Sequence, residues 1–191
     1  MNRSDVTRLE PLPPELWHVS LDPVIRDMRG RPLNIHRMLA HHPDLLAAWW
    51  PFRNYSVKGG ALSARDRELV ILRVAHALRS PYEWDSHVER GYAAGLSLEE
   101  IDRVRQGATA DGWSESESVL LAAVDDCLEA RCIKPDTLQR FSRFYSNKQA
   151  LDVIAIHSLY VMLGVIIATW GLELDEFIEL PEGYQAPSEG K

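Results

Sequence analysis

The stretch "ALDVIAIHSLYVMLGVIIATW", Ala150 to Trp170, constrains this chain more than any other. It is apolar all the way round a helix, so lipid or protein must surround it. Its length approaches that of a membrane span. Yet Asp152 and His157 interrupt it, and nothing else in the chain resembles a span. We read it as the central helix of a protein domain, enclosed by other helices, with no membrane partner.

The rest of the sequence supplies helices to enclose it. Ser97 and Glu100 in "GLSLEEIDRV", and Ser114 and Glu117 in "WSESESVLLAAV", form S-x-x-E capping boxes. Ser63 with Asp66 is a variant of the same device, leading into Leu69, Val70, Leu72, Val74 and Ala77 at helical spacing. "RPLNIHRMLAHH" and "HPDLLAAWWPF" read as two short helices, with Pro43 in the first turn of the second. "KPDTLQRFSRFY" is another, and Gly171 should close the long apolar helix in a left-handed cap. No alternating strand pattern of useful length appears, so the fold class is all-α. At 191 residues one domain is expected over 31–180, after a proline-rich irregular arm at 1–30 and before a tail at 181–191.

A net charge of −7, with no uninterrupted basic patch, argues against nucleic acid as a partner. Cys127 and Cys132 fit neither a C-x-x-C redox motif nor a paired zinc pattern, and lie on different faces of a helix. They read as reduced structural thiols in a cytoplasmic protein. The N-terminus lacks the apolar core of a signal peptide. The exposed-looking aromatics of "AAWWPF" call for burial against a second subunit, and the expected assembly is a homotrimer or homohexamer.

Chemistry concentrates in "SPYEWDSHVERG". Ser80, Pro81 and Glu83 make a capping box, which by itself explains Ser80 and Glu83. It leaves His87 unexplained. His87 lies one turn after Glu83 on the same face, close enough for a carboxylate–imidazole contact that suits a general acid or base. Glu68 sits on the apolar boundary of the preceding helix, where a carboxylate needs a partner. If the two helices pack antiparallel about Arg79 and Ser80, then Glu68, Glu83 and His87 converge on one pocket, their pKa values pushed apart.

The run "RELVILRVAHALRSPYEWDSHVERGYAAGLSLEEI", with Glu68, "YEW" at Tyr82 to Trp84, His87 and "AGLS" at Ala94 to Ser97, resembles the carboxymuconolactone decarboxylase and alkylhydroperoxidase D-like superfamily. The resemblance is strongest from Leu62 to Gly107. It implies an all-α, oligomeric helical bundle. Peroxidase-like members of that superfamily carry a glutamate, then C-x-x-C, then a histidine. Here the glutamate and histidine fall on Glu68 and His87, but the cysteine positions fall on Ser80 and Glu83, so thiol-based peroxidase chemistry is not expected at this site. What the resemblance then implies is a lyase needing no cofactor or metal, acting by proton transfer on a small unsaturated lactone or related carboxylic acid from aromatic-compound metabolism. His87 would donate the proton and Glu68 would tune it. Glu83 is a second proton-transfer group or only a cap. Ser80, Tyr82 and Trp84 would bind substrate or simply pack.

The chain departs from the small decarboxylases in its extension through Leu62 and in His157, for which a hydrogen-bonded core position is expected. Two other readings stay open. One is a metal-dependent lyase or hydrolase using Glu83, His87 and His36, His41 or His42. The other is a non-catalytic oligomeric binding protein in which Glu68 and His87 merely pair.

Overall fold

In the computed structural model, which describes residues 9–184, all regular structure is helical. Nine α-helices are found among the described residues. They are α1 Asp22–Asp27, α2 Asn34–Leu39, α3 Pro43–Asn54, α4 Ala64–Ala77, α5 Pro81–Ala93, α6 Leu98–Arg103, α7 Glu115–Ala130, α8 Pro135–Phe141 and α9 Asn147–Trp170.

The central element is α4. It packs against α5, α7 and α9 together, which is why Leu69, Val70, Ile71, Leu72, Val74 and Ala75 are all buried. Fully burying one such leucine or isoleucine is worth about 1.5–3 kcal/mol, so α4 anchors the core. α9 crosses it and buries Val153, Ile156, Leu159, Tyr160, Leu163 and Ile167. This helix is long and apolar enough to span a membrane, and half of its most apolar window is buried in the protein. Its outer side, with Leu151, Ile154 and Val165, stays exposed.

The capping boxes at Ser97/Glu100 and Ser114/Glu117 form as expected, and a third joins Ser146 to Gln149 at the start of α9. Gly171 takes the left-handed C-cap at φ 64°. The two cap glutamates also tie helices together. Arg65 of α4 reaches Glu100 at 2.5 Å and Glu117 at 2.7 Å, joining three N-terminal turns through one guanidinium. Arg73 joins α4 to α7 through Asp125 at 2.5 Å.

Residues 9–30 are more structured than an irregular arm. They hold α1 and two short 3-10 turns, and Trp17, Leu21 and Val24 join the main core. Trp49 and Trp50 are likewise buried within the chain, so the aromatics expected at a subunit contact are spent internally. Only Phe52 of that group is exposed. At the other end, Asp175 is buried, accepting the Tyr82 hydroxyl at 2.6 Å and the Asn34 N–H at 2.8 Å, which clasps the chain after α9 onto α2 and α5. Residues 185–191 of the expected tail and 1–8 of the arm lie outside the described residues.

Candidate functional site

α4 and α5 form a helical hairpin. Arg79, at φ 52°, turns the chain in the left-handed region between them, and Pro81 opens α5. The antiparallel return brings Glu68 to His87 as the spacing predicts, with Glu68 Oε2 2.6 Å from His87 Nδ1. His87 is buried and Glu68 nearly so.

The other imidazole nitrogen fixes the proton's place. His87 Nε2 lies 3.0 Å from Arg90 Nη1 and 3.0 Å from the Tyr160 hydroxyl. A guanidinium has no lone pair to offer, so Arg90 donates and Nε2 accepts. The ring proton is therefore on Nδ1, where it is donated to the Glu68 carboxylate. Burial pushes His87 below the usual histidine range; Glu68 pulls it back up, and Arg90 and Arg53 reinforce the fall. The result is a neutral imidazole oriented like a general base, with a carboxylate behind it. Tyr160 completes the chain from α9, and burial drives its hydroxyl upward, so it holds its proton.

Glu83 does not cap α5. The Ser80 side chain makes no capping hydrogen bond, and the Ser80 Oγ and both Glu83 carboxyl oxygens are buried without a hydrogen-bond partner among the described residues. The expected capping box fails because the Glu83 side chain turns inward rather than back along the first turn. Gly164 makes the room: a methyl there would lie 3.0 Å from Glu83 Oε2 and 2.8 Å from Leu78. Burial pushes the Glu83 carboxyl up to about 8, eased only in part by the neighbouring Ser80 hydroxyl. At neutral pH Glu83 is a protonated acid inside the protein.

Glu83 and His87 line one pocket with Tyr82, Ser86, Arg90 and Tyr160, closed by Leu33, Ile35, His36, Trp49, Arg53, Leu163 and Ile167. It holds about 410 Å³ of space between atoms, open mouth included. Its enclosed part has room for roughly one or two waters. His36 is held neutral, its pKa lowered to about 3 by burial and then by the nearby arginines, and its Nδ1 accepts the Leu33 N–H at 3.2 Å.

The other expected site residues are placed differently. Tyr82 puts its ring on the pocket, but its hydroxyl is committed to Asp175 and, at 3.4 Å, to the Ile35 N–H. Trp84 is not brought to the site. Its indole N–H goes to Tyr184 at 2.8 Å and its ring lies 4.0 Å beneath Arg105. Ser80 touches the site only through its neighbour Glu83. His41 Nε2 bonds the Glu10 carbonyl at 2.8 Å, and His42 caps α3 by accepting the Leu45 N–H, so neither joins His36. Among the described residues no group of three or more His, Cys, Asp or Glu is arranged to hold a metal. His157 is half-buried and makes no hydrogen bond to a described residue, so it is not the bonded core histidine expected. Cys127 is buried, its thiol pushed up to about 11 chiefly by burial, and Cys132 is exposed.

Arg53, Arg90, Trp49 and Tyr160 were not legible as site residues. Arg90 alone left a signal, three residues after His87 on the same helix face.

Residues 43–126, from α3 into α7, match the model of the carboxymuconolactone decarboxylase family. Among solved structures the chain is similar to the debrominase Bmp8 in complex with 2,3,4-tribromopyrrole, with a TM-score of 0.75 at 17% identity over 90% of this chain and 94% of that one. An uncharacterized peroxidase-related protein from Ralstonia eutropha JMP134, with an alkylhydroperoxidase AhpD core, gives 0.75 at 18% identity, covering 88% and 92%. A protein of unknown function from Agrobacterium tumefaciens gives 0.64 at 18%, covering 72% and 94%. At these identities the likeness is one of fold. A search of curated proteins finds no significant match to the sequence.

Proposed function

We propose, for a chain whose residues 43–126 match the carboxymuconolactone decarboxylase family and whose fold is alkylhydroperoxidase D-like, that the Glu83–His87 pocket carries out acid–base chemistry on a small carbonyl compound, as a lyase of the decarboxylase kind. One observation carries the reading: a carboxyl and an imidazole, both buried, line the same pocket, and burial favours the uncharged form of each. Groups whose environments push their protonation apart are how a single site holds an acid and a base together.

The roles differ from those the sequence suggests. Glu83, rather than His87, is the proton donor. In a decarboxylation the carbon–carboxylate bond breaks, carbon dioxide leaves, and the electron pair passes through the double bond to the lactone carbonyl. Glu83 then delivers its proton to the resulting dienolate and regains one from solvent. The Arg90 guanidinium, with N–H groups beyond the one it spends on His87, is the donor placed to stabilise the transient oxyanion. His87 Nε2 holds Tyr160 in place and can take up a proton, with Glu68 stabilising the imidazolium. The same parts would serve an isomerisation or elimination, in which His87 first removes a proton from carbon and Glu83 returns one elsewhere. Serine and glutamate at the positions where thiol-dependent relatives carry cysteines favour this reading over peroxidase chemistry. The debrominase among the structural neighbours makes a small unsaturated ring a reasonable substrate shape.

The test is a screen of small unsaturated lactones and β-keto acids for carbon dioxide release. On a confirmed substrate Glu83→Gln and His87→Ala should each slow turnover by roughly a hundredfold or more, the usual scale for lost acid–base help. Full activity in both variants would refute the assignment.

A further inference from the structure

Two cations line the pocket without a paired carboxylate in it, although Asp27 lies near enough to Arg53 to favour its charge. Arg53 and Arg90 both line it, and neither forms a salt bridge with a described carboxylate, whereas Arg65, Arg73 and Arg105 all do. Arg53 sits 5.0 Å over the Trp50 ring and uses one N–H on Asn54 Oδ1 at 3.1 Å. Arg90 uses one N–H on His87. Each guanidinium carries five donors in a planar fork, so most of that capacity is uncommitted. The two forks also repel each other, a cost that an anion between them would remove.

Independent orphans surround them. The Trp49 indole N–H, which can only donate, is buried without a partner and lines the pocket, as does the Ser86 hydroxyl. The remaining wall is apolar: Leu33, Ile35, Leu163 and Ile167. Buried polar groups are normally satisfied, so an orphaned donor-only group on a residue lining the cavity, beside the two guanidinium forks, favours a ligand oxygen there.

We propose that Arg53 and Arg90, with the Trp49 indole N–H, form a carboxylate clamp, and that the ligand is a small carboxylate with an otherwise apolar, uncharged body. The clamp rests on the acid–base reading for its place in catalysis, and it adds a constraint. A double guanidinium around a carboxylate that must depart as carbon dioxide would stabilise the ground state and slow the reaction. The clamped carboxylate is therefore one that the product keeps. Planar forks match carboxylate geometry in a way a single ammonium does not.

The experiment uses crotonate, a small unsaturated monocarboxylate, against crotonamide, its uncharged isostere, with affinity read by calorimetry or saturation-transfer NMR on the full chain. Crotonate should bind the wild type at least tenfold more tightly than crotonamide. Arg53→Gln and Arg90→Gln should each erode that preference about tenfold, and Arg53→Lys should retain part of it. Equal binding of the two ligands, or of crotonate and sulfate, overturns the clamp, and needs no variant. So does a preference unchanged within twofold in folded Gln variants. Because binding is read without turnover, the clamp and the acid–base assignment can fail separately.

Discussion

Glu83 supplies the proton in the proposed chemistry, and its local sequence suits a simpler role. Ser80, Pro81 and Glu83 satisfy every local requirement of a capping box, yet the carboxyl turns inward because Gly164, far away on α9, leaves space for it. No local rule sees that. His87 and Glu68 were legible because their contact depends only on helical rise and a short hairpin. The buried acid has a consequence for stability. From about pH 4.5 to about 8 the unfolded chain gives up the Glu83 proton while the folded chain keeps it, so the folded state binds more protons and stability falls as pH rises. At about 1.36 kcal/mol per pKa unit, the loss is on the order of 3–5 kcal/mol. His87 works the other way. Its folded pKa is lowered, so it costs stability as pH falls below its ordinary value of 6.5. Thermal melts between pH 5 and 9 should show the alkaline decline in the wild type and a much flatter line in Glu83→Gln. Parallel curves for the two proteins would mean that Glu83 ionises freely.

At the scale of elements, the signals that held were those that act within one turn. The caps at Ser97/Glu100 and Ser114/Glu117, Pro43 at the start of α3 and Gly171 at the end of α9 all depend on free N–H and C=O groups at helix ends, which sequence displays directly. What sequence did not display was how elements share residues. The cap glutamates double as partners of Arg65, and Asp152, a polar interruption in an apolar run, accepts the Tyr55 hydroxyl at 2.8 Å and so pins the π-helical turn after α3. The same limit hid the site's other half. Arg53, on α3, and Tyr160, on α9, reach the pocket from helices remote in sequence, and nothing near them marks a ligand site.

At the scale of the whole molecule, α9 presents an apolar face that no described residue covers. Along α9, Leu151 is 66% exposed, Ile154 42% and Val165 60%, and Ser158, Val161 and Ala168 continue the stripe at spacings of three and four residues. That period is the seam by which helices of separate subunits pack. An assembly of this chain would close on α9 rather than on the tryptophans of "AAWWPF", which the fold already buries. Light scattering at micromolar concentration should give a multiple of the monomer mass, and Ile154→Glu with Val165→Glu should reduce it to the monomer. A monomeric wild type would leave the stripe as surface only.

The central claim, a neutral carboxylic acid poised beside a neutral imidazole, can be read without any substrate. Carboxyl carbon-13 NMR of glutamate-labelled protein, with Glu83 assigned by the signal missing in Glu83→Gln, follows its ionisation directly. A titration midpoint near 8 is expected, with the signal at the protonated position through pH 6. A midpoint near the ordinary glutamate value of 4.5 would contradict it, because Glu83 would then be an anion at neutral pH with no proton to give.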